Sequence, residues 1–236
     1  MRERPTAPVP SRPEARGASP LLAVLLLASG LVAPGCGKLM SPPPRPRTDG
    51  YQATVTLKAG STVTARFEIA VRGGAVRRSL GEPDSGGPYL VRASEKAPVL
   101  EVDPSARTVR QVPAARLFAG LTDVPLQPDF NHAAEAARRG VKEYHRESDG
   151  IFAGLACNVW RFEDMPGAIN SPSTTYWVVP GLDNLVIRTE RRVPRDDGSE
   201  ERTFVELTSI RAGAPEELFQ VPEGYRDLGS AGGPAR

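Results

Sequence analysis

Cys36 is the residue of this chain whose position most clearly indicates a chemical role. Residues 21–33 are thirteen consecutive small or apolar residues, and the cysteine follows three positions later. This run is too short to cross a hydrocarbon core, for which about 20 residues are needed. Four arginines precede it: Arg2, Arg4, Arg12 and Arg16. The pattern is typical of an export signal, and it is followed by a thiol, the one nucleophile there that can be acylated.

The segment resembles the signal of bacterial lipoproteins, in which a cysteine becomes the lipidated first residue of the mature protein. The resemblance implies that residues 1–35 are removed and that Cys36 carries acyl chains such as palmitate. Two or three chains hold a protein at a membrane, whereas a single chain exchanges. An Asp after the cysteine commonly marks inner-membrane retention in these proteins, and here that residue is Gly37. We therefore expect an outer-membrane protein that faces the periplasm; an ordinary cleaved signal and an early cysteine in a cytoplasmic protein are the alternatives.

No other combination of residues indicates catalysis. The Gly-x-Ser-x-Gly nucleophile elbow of the α/β hydrolases is absent from the sequence. The two histidines, His132 and His145, stand thirteen residues apart with no cysteine or histidine cluster nearby, so no metal site is predicted. The candidate acid–base carboxylates fall in a turn, on a strand and in a hairpin loop: Asp183, Glu190, Asp196 and Asp197. Such positions favour solvated surface, and we expect a protein that is not an enzyme and uses no cofactor.

Aromatic side chains could instead contact an apolar ligand. Five of them lie on predicted strands: Phe67, Trp160, Phe162, Tyr176 and Trp177. A curved sheet that does not close on itself leaves one apolar face without a second sheet, so these rings could line a lipid-binding concavity. The alternative is that they fill the core. Trp160 and Phe162 share a face, whereas the adjacent Tyr176 and Trp177 must point to opposite faces of a strand.

The elements that position these residues are mostly strands, because apolar and polar residues alternate along the chain after Tyr51. A first strand reaches the turn at 59–61, and the clearest one is 62–72. The others are 75–80, 89–93, 99–102, 108–112, 141–146, 155–163, 174–179, 185–193 and 202–210. One helix, 132–139, is predicted between Asn131, which can cap it, and Gly140. This pattern predicts a mainly β (α+β) fold, a curved antiparallel sheet with a small helical cover.

A single folded domain is expected over residues 51–226. Residues 36–50, which are rich in proline, favour extended geometry and form a tether, and residues 227–236 are expected to be disordered. Without residues 1–35 the chain has 26 basic and 26 acidic residues, which argues against nucleic-acid binding. Cys157 has no disulfide partner once Cys36 is acylated, so we expect a packed thiol.

Four motifs in the C-terminal half resemble the lipoprotein-sorting carriers and receptors of the periplasm, the LolA/LolB-like proteins. They occur in the order seen in that family: 154–160 (GLACNVW), 176–182 (YWVVPGL), 185–188 (LVIR) and 217–225 (ELFQVPEGY). The resemblance spans residues 51–226 and implies a half-open antiparallel β-barrel whose concave apolar face is covered by helices. The predicted anchor is more similar to the receptor than to the unanchored carrier.

We therefore expect a membrane-anchored periplasmic lipoprotein that binds a hydrophobic group, either a lipid or an acylated protein, without covalent chemistry. The alternative is a structural or interaction subunit of the cell envelope, with a filled core and a surface that docks a protein. An apolar cavity of roughly several hundred cubic ångströms would favour the first function, and a packed interior the second.

Overall fold

The computed structural model of the protein describes residues 49–121, 123–164 and 171–230. The predicted signal, Cys36 and most of the predicted tether lie outside the described residues, as do residues 231–236. The strands are β1 Tyr51–Ala59, β2 Thr62–Arg72, β3 Ala75–Ser79, β4 Tyr89–Arg92, β5 Val99–Asp103, β6 Thr108–Val112, β7 Tyr144–Arg146, β8 Gly150–Phe152, β9 Leu155–Glu163, β10 Ser173–Val179, β11 Leu185–Pro194, β12 Glu200–Ala212 and β13 Arg226–Ser230. The helices are α1 Ala114–Leu117 and α2 His132–Arg139, with 3₁₀ turns at Pro180–Leu182 and Glu216–Phe219.

The strands form one open, curved sheet that does not close into a barrel, which confirms the predicted fold class. Their order is β13-β6-β5-β4-β3-β2-β1-β12-β11-β10-β9-β7, with β8 beside β9. Paired strands are antiparallel, except that β13 runs parallel to β6. At the centre β1 pairs with β12, where Val55 lies opposite Leu207. This pairing joins the N-terminal and C-terminal groups of strands into a single sheet.

One face of the sheet, which we call the inner face, carries most of the core. Residues directly opposite one another in paired strands lie on the same side of a sheet. The inner face can be followed along such pairs: Phe67–Val55, Leu57–Val205, Val205–Thr189, Thr189–Tyr176 and Tyr176–Trp160. Val55 and Leu57 are two positions apart in β1 and therefore also share a side. The inner face thus extends from β2 to β9.

Residues 113–139, which we call the cover, lie along the inner face. Their loop and α1 contribute Leu117, Leu121 and Leu126 to the large apolar cluster around Val55 and Phe67. Farther along, Ala136 of α2 joins a second cluster with Phe162 and Tyr176. The predicted small helical cover is therefore present, but its central part is a loop in which Leu121 and Leu126 are as buried as the core residues of the strands.

Helix α2 begins and ends where the sequence predicted. Asn131 Oδ1 accepts hydrogen bonds from the backbone N–H groups of Ala133 and Ala134, each at 3.0 Å. Gly140 has a φ of 67°, and its N–H donates to carbonyls of the last turn. Caps of this kind satisfy backbone groups that have no partner within the helix. Local capping therefore sets the bounds of this short helix.

The outer face is covered across β3 to β6 by the end of the described chain. Phe219 of the second 3₁₀ turn packs in a cluster with Tyr89 and Val102, and Tyr225 contacts its edge. The motif 217–225 thus has a packing role. Residues Arg226–Ser230 then form β13 beside β6, so the prediction of disorder from residue 227 is wrong for 227–230. This strand has no apolar alternation, and it exists because the edge of β6 offers backbone hydrogen-bond partners.

Two smaller differences have local causes. Helix α1 has four residues, which is too short for a helical repeat of apolar residues to be detected. The strand predicted over 141–146 is confined to Tyr144–Arg146, because the backbone N–H of Val141 donates to Ala136 and ends the preceding helix.

Candidate functional site

An apolar groove of about 380 Å³ lies between the cover and strands β3 and β4. Its lining is Val76, Arg92, Phe118, Leu121, Val124, Leu126 and Gln127. The volume falls within the range of small-molecule sites, about 300–1,000 Å³. Five of these seven side chains are apolar, so the groove is suited to a hydrocarbon group.

The cover reaches the groove through a close turn at Gly120. Its φ is 76°, and a Cβ atom built there would lie 2.5 Å from Leu57 Cδ1. Only glycine fits such a position without displacing a neighbour. The backbone N–H of Leu121 donates to the carbonyl of Phe118 at 2.8 Å, and that of Val124 donates to Leu121 at 3.1 Å. These turns direct the apolar side chains of the loop toward the sheet.

Side chains of the strands hold the cover by its backbone carbonyls. The Arg78 guanidinium donates to Leu117 O at 3.1 Å and to Ala119 O at 2.7 Å, and it stacks on Phe67 at 3.9 Å from the ring centroid. Tyr51 Oη donates to Leu126 O at 2.8 Å. Burial raises the pKa of Tyr51, so this hydroxyl remains a donor. The loop is thus fixed on both sides of the groove, while Phe118 and Val124 stay half-buried.

A polar network holds the other end of the cover. Tyr176 Oη accepts from Arg139 Nη1 at 3.0 Å and donates to the Glu135 carboxylate at 2.9 Å. Arg139 Nη2 also donates to Asp164 at 2.7 Å and to Thr174 at 2.8 Å. Burial raises the pKa of Tyr176. Burial would also raise the pKa of Glu135, but hydrogen bonds from Arg138 and Tyr176 and the arginine charges lower it. Arg139 Nε is buried without a hydrogen-bond partner, but the other contacts join α2 to β10 and to Asp164, so the network fixes α2.

The structure places four of the five aromatic residues singled out above on the inner face. Phe67, Phe162 and Tyr176 are buried, and Trp160 packs with the latter two. Trp177 follows Tyr176 in β10 and points to the opposite side, where its ring lies 4.6 Å from the Arg188 guanidinium. None of the five is among the residues that line the groove. A ligand contact for them stays a prediction.

The groove residues on the cover were not identified from the sequence. Phe118, Leu121, Val124 and Leu126 occur in a stretch without helical or strand periodicity. The number of apolar residues in this loop was the one indication that it packs against another part of the protein, because apolar side chains are driven out of water. Their partner on the sheet cannot be read from spacing.

The remaining candidate residues have structural surroundings. His132 stacks on Trp160, with ring centroids 3.9 Å apart and planes at 9°. Cys157 is buried, as predicted, and burial raises the pKa of its thiol. The described residues contain no group of three side chains suited to hold a metal ion. Over the same ranges, no helix has the length and hydropathy required to span a membrane.

Comparisons with known proteins find matches among solved structures only. No family model and no curated protein matches the sequence. Among solved structures, the MucA/MucB complex of Pseudomonas aeruginosa is 17% identical over 75% of this chain and 56% of the matched chain, with a TM-score of 0.45. This chain therefore spans little more than half of that protein.

Two further structures cover a larger share of the matched protein. The lipoprotein LppX of Mycobacterium tuberculosis is 12% identical over 70% of this chain and 88% of its own, with a TM-score of 0.35. A LolA superfamily protein of Nitrosomonas europaea is 11% identical over 73% and 90%, with a TM-score of 0.29. At these identities and TM-scores, the likeness does not assign this chain to either protein's family.

Proposed function

We propose that this chain is a membrane-anchored lipoprotein whose folded domain binds a hydrophobic ligand, an acyl chain or an acylated protein, without covalent chemistry. The observation that carries the proposal is the apolar groove between the cover and the inner face. Each buried methylene of an acyl chain contributes about 0.8 kcal/mol. A chain in the groove would also remove from water the half-buried side chains of Phe118 and Val124.

Binding is expected to depend on Val124. In the full chain carrying Cys36→Ala, purified from the periplasm, we expect co-purifying lipid by mass spectrometry and saturable binding of a fluorescent fatty acid. Val124→Lys places a charged group in the groove and should weaken that binding by at least about tenfold, because an unpaired charge is costly in an apolar site. The matched control is Val63→Lys, since Val63 is 54% exposed and does not line the groove.

Two results would contradict this proposal. One is a parent protein with neither bound lipid nor fatty-acid affinity, and the other is an affinity that Val124→Lys leaves unchanged. The first result would favour a structural or interaction subunit of the cell envelope. The observation behind that second function is the extent to which the cover fills the inner face, where Leu117, Leu121 and Leu126 are buried.

The proposal includes an acyl anchor at Cys36 and a position at the outer membrane, facing the periplasm. Metabolic labelling with a palmitate analogue should mark the wild-type protein and the variant Cys157→Ala, because Cys157 is buried. Cys36→Ala should lose the label and leave the membrane fraction. Retention of both label and membrane association in Cys36→Ala would rule out this anchor.

A further inference from the structure

Arg92 is the charged residue of the apolar groove. It is the last residue of β4 and lies opposite Val76, which also lines the groove. Its guanidinium carbon lies 4.9 Å from the centroid of the Phe118 ring. Its Nε is buried and has no hydrogen-bond partner. Buried polar groups are normally hydrogen-bonded, so Arg92 Nε is a buried donor without an acceptor at the wall of the groove.

A carboxylate of the neighbouring strand, Glu101, is already engaged. Glu101 lies opposite Leu90 in the neighbouring strand, and it pairs with Arg110 at 2.9 Å and with Arg116 of α1. Arg78 donates to two carbonyls of the cover. Among the ion pairs of the described residues, Arg92 takes part in none. Among the described residues, Glu101 is thus the one carboxylate that forms an ion pair with Arg78, Arg92, Arg110 or Arg116, so positive charge is in excess around residues 116–119.

A charge in this place selects one class of ligand. A guanidinium donates two parallel N–H groups to a carboxylate or a phosphate, and such charge-assisted bonds are stronger than neutral ones. Phe118 keeps the guanidinium in position by stacking. A neutral amphiphile would fill the groove but leave the Arg92 charge without a counterion.

We propose that the ligand of the groove is an anionic amphiphile, whose hydrocarbon chain lies along Leu121, Val124 and Leu126 and whose carboxylate or phosphate is bound by Arg92. This inference rests on the proposed function and narrows it from any hydrophobic group to an acidic one. Headgroup and chain are bound by different residues, so their contributions can be separated.

The test compares three probes with the same chain: dodecanoate, dodecyl phosphate and dodecanol. With the full chain carrying Cys36→Ala, titration calorimetry should show that at least one acidic probe binds about tenfold more tightly than the alcohol. Arg92→Gln should reduce the affinity for that probe to the value for dodecanol and leave dodecanol binding unchanged. Arg92→Lys keeps the charge without the planar fork, so it should retain part of the preference.

Arg77→Gln is the matched control. Arg77 neighbours Arg78 in β3 and points to the outer face, where its guanidinium lies 4.1 Å from the Tyr89 ring centroid. It has the same stacking as Arg92 but lies outside the groove, so its loss should leave the preference intact. The relative affinity of carboxylate and phosphate then distinguishes a fatty acid from a phospholipid as the source.

The binding results distinguish an error in the headgroup assignment from an error in the proposed hydrophobic binding. If all three probes bind equally and Arg92→Gln changes none of the affinities, the headgroup assignment is wrong while hydrophobic binding stands. If none of the three binds, both fail. Thermal unfolding of each variant shows whether it is folded before its affinity is compared.

Discussion

Replacement of Arg139 by leucine is expected to lower the free energy of unfolding by about 3 kcal/mol. The Arg139 side chain is 10% exposed and donates to Tyr176, Asp164 and Thr174. Removing one partner of a buried ionic network leaves the remaining charged and polar groups buried and unpaired. In fully buried cases this costs about 3–5 kcal/mol of stability. Asp164 is 29% exposed and recovers some hydration, so we expect the lower end of that range.

Arg195→Leu is the control for this measurement. Arg195, in the loop after β11, pairs with Glu201 of β12 at 2.9 Å, and both side chains are more than half exposed. Exposed pairs of this kind contribute about 0–1 kcal/mol. Urea denaturation followed by circular dichroism measures both variants. Equal losses in the two would show that the network beneath α2 does not stabilise the domain.

Phe162→Ala is expected to destabilise the domain by about 3–5 kcal/mol, the usual cost of removing a buried phenylalanine. Phe162 is fully buried, and its ring contacts those of Phe130, Tyr144 and Tyr176 at centroid distances of 6.4, 5.6 and 5.5 Å. The cavity would lie beneath α2, where one short helix cannot move to fill it without losing its caps.

Two comparisons make this second prediction specific. Phe204 lies on β12 and is half-buried, so Phe204→Ala should cost less than half as much in the same denaturation experiment. The milder variant Phe162→Leu should retain the fatty-acid affinity of the parent, because Phe162 does not line the groove. A tenfold weaker affinity in folded Phe162→Leu would instead support the ligand contact predicted from the sequence.

Local features of the sequence were sufficient for much of the secondary structure. β6 and β9 have the predicted bounds, because alternation of apolar and polar residues is a property of neighbouring positions. The bounds of α2 follow from Asn131 and Gly140, whose effects act within one turn. The prediction that Tyr176 and Trp177 point to opposite faces required only strand geometry.

The groove could not be predicted in the same way. Its walls come from β3, β4 and a loop without periodicity, so which residues face one another depends on how the cover crosses the sheet. The five aromatic residues were chosen because they are large, apolar and on predicted strands, and these two properties do not distinguish a core residue from a ligand contact. Burial of Phe67, Phe162 and Tyr176 was decided by the cover, which lies directly over them.

By itself, the sequence determined most of the strands, the helix α2, the resemblance to a carrier fold and the expectation of an anchor at Cys36; β8 and β13 were not predicted. Tertiary structure alone decided that β1 pairs with β12, that β13 adds to β6, and that Arg92 reaches the groove without a carboxylate. The physical reason is the range of the interactions. Alternation and capping act between residues a few positions apart, whereas the partner of a strand edge or of a charge depends on residues that only folding brings together.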